Sequence, residues 1–154
     1  SYSNLGYALL GHALETAADT PYEQLLHERI LKPAGMKETY LMTPGSVPDE
    51  APRGLTAAGR TTEPWEMEGC SAAAGAIRST AHDMAAFATW FMEHGDTSYG
   101  WQENDDGKSF WHNGGTYGYS TMLIIDPKEN RAAFANNDSP AGTEDLAEAL
   151  FERI

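Results

Sequence analysis

The spacing of hydrophobic residues changes at Gly95, and this change limits the possible folds more than any other feature of the sequence. Before Gly95, apolar residues recur every three or four positions, as Met84, Phe87 and Phe91 do, which is typical of helices with one buried face. After Gly95 they alternate with polar residues, which is typical of strands. The sequence therefore predicts an α+β fold in which helices flank an antiparallel sheet.

Residues that start and stop helices give the predicted bounds of these elements. Thr20 with Glu23, and Thr80 with Asp83, form candidate capping boxes, and Asn4 is a candidate cap for the first helix. The predicted helices are 4–18, 20–32, 80–95 and 143–153, and the predicted strands are 39–42, 99–103, 108–113, 120–126 and 131–136. Residues 43–69 form a long loop rich in proline, glycine and acidic side chains, and loops of this length are commonly functional.

The length and charge of the chain exclude several classes of function. With 154 residues it is expected to form one domain, and 10 basic against 23 acidic residues give a net charge of −13. This charge repels phosphate backbones and anionic lipid headgroups, so nucleic acids and membrane surfaces are not expected partners. No apolar run in the sequence is long enough for a membrane span. We expect no cofactor and no metal, because the histidines lack metal-binding spacing and the single cysteine provides no cysteine cluster.

Two short clusters carry residues that could do chemistry. Tyr2 and Asn4 stand at the start of the first predicted helix, where the positive end of the helix dipole favours a phenolate. His112 lies near the end of one predicted strand, and Gly114 and Gly115 lie between it and the next. Adjacent glycines let a ligand approach backbone amides that can bind an oxyanion. The simpler interpretation of the second cluster is a glycine-rich loop between two strands.

Four segments, taken in order, resemble one family. They are residues 2–11 (YSNLGYALLG), 30–36 (ILKPAGM), 74–84 (AGAIRSTAHDM) and 112–116 (HNGGT). With these motifs the chain resembles the class C-type serine β-lactamases and penicillin-binding-protein-like hydrolases, which include D-alanyl-D-alanine carboxypeptidases and esterases. The likeness covers nearly all of residues 1–154, and it implies a β-lactamase/transpeptidase-like fold of which this chain is the C-terminal portion.

The resemblance also implies roles for particular residues. Tyr2 is expected to relay protons beside the nucleophile, His112 to occupy the cationic position of the third motif, and the backbone N–H of Gly115 to donate to the oxyanion. An imidazole is less reliably charged at neutral pH than the lysine usual in true β-lactamases, so we favour a peptidase or esterase over antibiotic hydrolysis. The other residues expected to bind substrate are Asn4, Asn113, Gly114, Thr116 and Trp65.

The nucleophile motif of the family, Ser-x-x-Lys, does not occur in this sequence. The residues three positions before its lysines are Arg29, Ala34, Asp105 and Ile125. A chain without the nucleophilic serine cannot form an acyl-enzyme, so we expect it to be inactive alone. The expected partner is an N-terminal segment that carries Ser-x-x-Lys, either covalently joined or as a second chain. The expected substrate is a small peptide, ester or β-lactam, and the resemblance implies an extracytoplasmic location.

The sequence leaves three other interpretations open. The chain could be a non-catalytic binding module or pseudoenzyme that holds a peptide or carboxylate ligand. Ser1 could act as the nucleophile of an N-terminal nucleophile hydrolase, although the strands typical of that class are not predicted at this end of the chain. An exposed strand edge and apolar face could instead drive pairing between identical chains.

Overall fold

The computed structural model describes residues 2–154, so the hypothesis about Ser1 lies outside the described residues. The helices are α1 (Asn4–Ala18), α2 (Tyr22–Leu26), α3 (Lys32–Ala34), α4 (Ala81–His94) and α5 (Glu144–Phe151), with a π-helical turn at His27–Leu31 and a 3₁₀ helix at Gly69–Ala74. The strands are β1 (Tyr40–Leu41), β2 (Ile77–Arg78), β3 (Gln102–Glu103), β4 (Phe110–Gly115), β5 (Ser120–Asp126) and β6 (Arg131–Asn137).

A four-stranded antiparallel sheet in the order β3-β4-β5-β6 forms the centre of the fold. Alternate residues of β5 point to opposite faces, so Ile124 packs against Phe151 of α5 while Ile125 packs with Ala88 of α4. The sheet is therefore covered by a helix on each face. The α+β architecture with helices flanking an antiparallel sheet is confirmed.

Helix α1 packs against the 3₁₀ helix through a glycine. A Cβ at Gly11 would stand 2.3 Å from the Cβ of Ala73, so only glycine allows this close approach. The opposite side of α1 carries four exposed leucines, which we call the leucine face: Leu5, Leu9, Leu10 and Leu14. Helix α1 is thus anchored along one side and leaves an apolar surface on the other.

Two of the predicted helix caps are wrong. Ser3, not Asn4, caps α1, because its extended backbone lets its hydroxyl accept from the N–H of Gly6 at 3.1 Å. Thr20 does not cap the second helix; its hydroxyl donates to the carbonyl of Ala18, and the N–H of Tyr22 instead donates to the Glu15 carboxylate of α1 at 2.8 Å. The cap of α4 is confirmed, with the Thr80 hydroxyl accepting from the N–H of Asp83.

The strand that carries the glycine pair begins and ends two residues later than predicted. Strand β4 continues through Gly114 and Gly115, which pair with Thr121 and Ser120 of β5. The interpretation of these glycines as a loop is therefore wrong. The turn between β4 and β5 is limited to residues 116–119, which places Gly115 at the last position of an ordered strand.

Candidate functional site

The side chains of Tyr2 and His112 lie together at one end of the sheet. Their ring centroids are 6.1 Å apart, and Tyr7, one turn into α1, lies 5.4 Å from Tyr2. Tyr2 immediately precedes the Ser3 cap and is more than half exposed, whereas His112 sits in the middle of β4. The fold thus brings a phenol and an imidazole from distant parts of the sequence to the same place.

Hydrogen bonding defines the protonation of the His112 ring. Its Nδ1 lies 2.6 Å from the carbonyl oxygen of Asn113. A carbonyl oxygen only accepts, so Nδ1 carries a proton, and in the neutral ring Nε2 is the proton acceptor. The imidazole is therefore held in the tautomer that a general base requires.

The backbone N–H of Gly115 is directed away from the neighbouring strand. The N–H of Thr116 donates to the carbonyl of Tyr119 at 2.9 Å, so this pair is hydrogen-bonded across the turn. Because hydrogen-bonded and non-hydrogen-bonded pairs alternate in an antiparallel ladder, the N–H of Gly115, opposite Ser120, points away from β5. On its other side β4 pairs with β3 only at Phe110 and Trp111.

The space around Gly115 is open as well. No atom within residues 2–154, apart from its chain neighbours, lies within 4 Å of the position that a Gly115 Cβ would take. An unpaired amide donor at a strand end with open space beside it can bind a developing oxyanion.

The structure divides the other predicted site residues between two faces. Gly114 shares the face of β4 that carries His112, and Asn4 opens α1 two positions after Tyr2. Asn113 lies on the opposite face, where its side-chain amide donates to Glu144 of α5 at 3.1 Å. That hydrogen bond lowers the pKa of the Glu144 carboxyl, because it stabilises the ionised form. The Asn113 side chain is thus not brought to the Tyr2–His112 pair, because strand residues alternate between faces.

Trp65 and Thr116 lie beside each other, together with a residue that the sequence analysis missed. The Trp65 ring centroid is 5.1 Å from that of Tyr117, which follows Thr116 in the β4–β5 turn. These residues line a cavity of about 680 Å³, together with Thr56, Ala57, Thr62, Glu63, Pro64 and Pro140. The signal that could have indicated Tyr117 is its position two residues after Gly115 in a turn.

Close backbone contact holds the long loop against this turn. A Cβ at Gly118 would stand 2.4 Å from Thr62 Oγ1 and 2.8 Å from the Cα of Gly54. Arg78 places its guanidinium 4.8 Å from the Tyr119 ring centroid, and both side chains donate to the carbonyl of Pro52. The loop of residues 43–69 is thus attached to the strand end that carries Gly115.

Comparison with known families identifies the fold. The sequence matches the family model described as Beta-lactamase over residues 1–151. The chain belongs to the beta-lactamase family. Among curated proteins, it is 37% identical over 92 residues to the D-alanyl-D-alanine-carboxypeptidase/endopeptidase AmpH of Escherichia coli, a match that covers 60% of this chain and 23% of that protein. It is similar at 38% identity over 94 residues to Beta-lactamase-like protein 2 of Dictyostelium discoideum, covering 59% of this chain and 17% of that protein.

Solved structures of this family share the fold. The chain superposes on a class C beta-lactamase with a TM-score of 0.80 at 13% identity, covering 99% of this chain and 58% of that one. It is also similar to the D-amino acid amidase of Ochrobactrum anthropi, with a TM-score of 0.69 and 25% identity, covering 92% of this chain and 50% of that one. The chain therefore spans between a half and three fifths of these structures, and about a quarter or less of the curated relatives.

Residues 2–154 contain neither a membrane-spanning helix nor a metal-binding cluster. No helix in this part of the chain is long and apolar enough to cross a membrane. No group of three or more histidine, cysteine, aspartate or glutamate side chains there is arranged to hold a metal ion.

Proposed function

We propose that residues 1–154 form the C-terminal part of a serine hydrolase of the beta-lactamase family, which cleaves an amide or ester through an acyl-enzyme. The observation that carries this proposal is the contact between Tyr2 and His112 on β4, the strand that ends at Gly115 with its N–H directed away from β5. A base and an oxyanion donor are two of the three groups that acyl transfer needs, and the third is the nucleophile.

The mechanism assigns one task to each of these groups. The serine hydroxyl of the Ser-x-x-Lys segment attacks the substrate carbonyl and passes its proton to the Tyr2 phenolate, while the N–H of Gly115 donates to the carbonyl oxygen as it becomes negative. The carbon–nitrogen or carbon–oxygen bond then breaks, and the leaving group takes the proton back from Tyr2. A water repeats the same steps on the acyl-enzyme, which releases the acid and regenerates the serine.

His112 acts beside Tyr2 in this scheme. Its Nε2 accepts a proton in the neutral ring, and its protonated form attracts a substrate carboxylate. Asn4, Gly114 and Thr116 border the substrate, and Asn113 contributes its backbone while its side chain holds Glu144.

The partner of the chain is a segment that supplies the serine and the lysine. The leucine face of α1 supports this, since Leu5, Leu9 and Leu10 are all more than half exposed, and a surface of this kind is normally covered by another part of the protein. The segment is either part of the same polypeptide or a second chain. As the resemblance to this family implies, the complete protein works outside the cytoplasm.

The substrate is a peptide or a related amide or ester. One curated relative is named a D-alanyl-D-alanine-carboxypeptidase/endopeptidase, and a similar solved structure is a D-amino acid amidase. An imidazole in the third motif, where true β-lactamases carry lysine, supports a peptidase or esterase over a β-lactamase. No cofactor or metal takes part in these steps.

Covalent labelling tests the proposal. Native protein is purified from its source, treated with a fluorescent penicillin and a fluorophosphonate, and digested so that mass spectrometry locates the label. We expect one labelled serine outside residues 1–154, and no label on the 154-residue chain expressed alone. A folded complete protein that neither probe labels would exclude the hydrolase.

A binding module for peptides or carboxylates is the second candidate, because the sequence contains no Ser-x-x-Lys. It predicts that the complete protein binds substrate analogues reversibly and turns over none of them. Equilibrium binding in parallel with the labelling distinguishes the two functions.

A further inference from the structure

The cavity beside Gly115 has the composition of a site for an aromatic ring. We call it the aromatic cleft and define it by Trp65, Tyr117, Pro64 and Pro140, which line it with the neighbouring threonines. Most of its surface is apolar, and its volume of about 680 Å³ falls within the range of sites that bind small molecules. We propose that the aromatic cleft binds an uncharged aromatic group of the substrate. This inference rests on the proposed function and specifies its substrate class.

Both aromatic rings of the cleft are exposed. Tyr117 is 73% exposed and Trp65 is 41% exposed, although their centroids are only 5.1 Å apart with an interplanar angle of 37°. A tilted pair of this kind presents ring faces and edges to a third ring, and aromatic pairs stabilise each other by about 0.5–1.5 kcal/mol beyond the burial of their area. A linear aliphatic chain gains the burial but not this additional attraction.

The cleft is continuous with the proposed oxyanion donor. Thr116, which directly follows Gly115, lines the cleft, and Tyr117 comes next in the same turn. A carbonyl bound at the Gly115 N–H therefore lies next to the residues that line the cleft. A ring separated from the carbonyl by two or three bonds can reach them.

The walls of the cleft are held in place before any ligand binds. Gly54 and Gly118 are in close backbone contact, and Thr62 donates its N–H to Gly54 at 2.8 Å. Pro64 and Pro140 add residues with a fixed φ. A preformed cleft avoids the entropic cost of ordering a loop around the ligand.

The charge around the cleft disfavours an anionic occupant. Glu63 lines it, but its carboxylate is paired with Arg53, so neither group remains as an unpaired charge at the rim. The net charge of −13 opposes an anionic substituent. An uncharged phenyl or indolyl group satisfies these conditions.

Binding to the 154-residue chain tests the cleft without any catalysis. N-acetyl-phenylalaninamide and N-acetyl-leucinamide, each as both enantiomers, are titrated while amide and indole signals are followed by NMR. We expect at least one phenylalanine enantiomer to bind at least fivefold more tightly than its leucine counterpart, and to shift the Trp65 indole and Tyr117 amide signals. Trp65→Ala and Tyr117→Ala should each weaken binding about tenfold, by the alanine-substitution effects typical of aromatic anchors.

A control variant outside the cleft accompanies these two substitutions. Trp90→Phe changes a tryptophan that stacks on His94 of α4, away from the cleft, and should leave the affinity unchanged. Equal affinities for the phenylalanine and leucine amides, or shifts that map elsewhere on the chain, would overturn the proposal.

A hydrolysis assay on the complete native protein separates this inference from the proposed function. N-acetylalanine methyl ester reports the hydrolase alone, and the ratio of kcat/KM for the N-acetyl-phenylalanine and N-acetyl-leucine methyl esters reports the cleft. We expect Trp65→Ala to lower that ratio about fivefold, whereas Trp90→Phe should leave both the ratio and the alanine ester turnover unchanged. A ratio in Trp65→Ala equal to that of the wild type would refute the aromatic cleft but not the hydrolase. A wild-type protein that hydrolyses none of the three esters would refute the hydrolase, and the cleft would then be judged by the binding experiment alone.

Discussion

The ring of Tyr2 lies 6.1 Å from the imidazole of His112, centroid to centroid. Tyr2 is fixed by the N-terminal cap of α1, since Ser3 accepts from the Gly6 N–H. His112 is fixed by β4, where it pairs with Leu123, and by its own bond to the Asn113 carbonyl. A helix N-terminus and a paired strand therefore set the distance between the two rings.

Replacing His112 tests its part in proton transfer. His112→Ala in the complete native protein should lower kcat by about 10²-fold, the lower end of the range for general acid–base groups, with a smaller change in KM. His112→Lys, which restores the cation usual in the third motif, should retain more activity than the alanine variant. Steady-state kinetics on an ester substrate measure both effects. Equal activity of wild type and His112→Ala at matched thermal midpoints would remove His112 from the mechanism.

Replacing Gly115 tests its backbone amide. Gly115→Pro removes the N–H and should lower kcat by about 10²- to 10³-fold, as expected for one oxyanion donor. Proline is tolerated there because the lost N–H points away from β5 and bonds no neighbouring strand. Gly115→Ala keeps the N–H and meets open space, so it should remain close to wild type. Comparable losses in both variants would indicate that shape, not the donor, matters at this position.

The sequence predicts the helices and strands well where local signals are strong, and the site less completely. Strand β5 lies at the bounds its alternation predicts, and the Thr80 cap is in place, because both depend on nearby residues. The predicted caps at Asn4 and Thr20 are wrong, because Ser3 accepts from the Gly6 N–H and Glu15 accepts from the Tyr22 N–H instead. Which side chain accepts from the amides at a helix N-terminus depends on the folded geometry.

The site shows the same limit. Tyr2 and His112 were chosen by resemblance, and their contact arises from packing that no local pattern encodes. The place of Trp65 in a long loop predicts a binding role, but its partner Tyr117 is indicated only by a position two residues after Gly115, and their contact depends on the fold. The Asn113 side chain lies on the face opposite His112 because strand residues alternate, and the predicted strand 108–113 already implied this separation.

Gly118 should be intolerant of a side chain. A Cβ there would stand 2.8 Å from the backbone of Gly54, which must move for any larger residue to fit. Gly118→Ala should lower the free energy of unfolding by about 1–3 kcal/mol, as overpacking does, and should separate Trp65 from Tyr117. Urea denaturation measures the first effect, and NMR contacts between the two rings measure the second.

Gly6→Ala is the matched control for this substitution. Gly6 is an exposed helical residue whose Cβ would meet, among residues 2–154, only Ser3, at 3.5 Å, so alanine should raise the unfolding free energy by about 0.5–1 kcal/mol. A Gly118→Ala protein as stable as wild type would show that the loop and the turn are not held together by this contact.

Asp83 is a buried carboxylate that joins α4 to the segment before β1. It is only 1% exposed, and its Oδ2 accepts from the Glu38 N–H and the Thr39 hydroxyl, each at 2.7 Å. Burial raises the pKa of the Asp83 carboxyl, but the hydrogen bonds from Thr39 and Glu38 outweigh it, and the net pKa lies below the usual value.

The pH dependence of unfolding follows from that lowered pKa. Because the folded-state pKa is below the unfolded one, the ionised Asp83 stabilises the protein at neutral pH, and this contribution is lost as the pH falls through the folded pKa. Asp83→Asn keeps the shape but not the charge, so wild type should be more stable at about pH 7, by a margin that shrinks toward about pH 3. Asp83→Ala should cost about 1–3 kcal/mol, since it leaves the Glu38 and Thr39 donors unpaired. Urea denaturation across this range checks both, and a wild-type advantage over Asp83→Asn that does not shrink with acid would contradict the assignment.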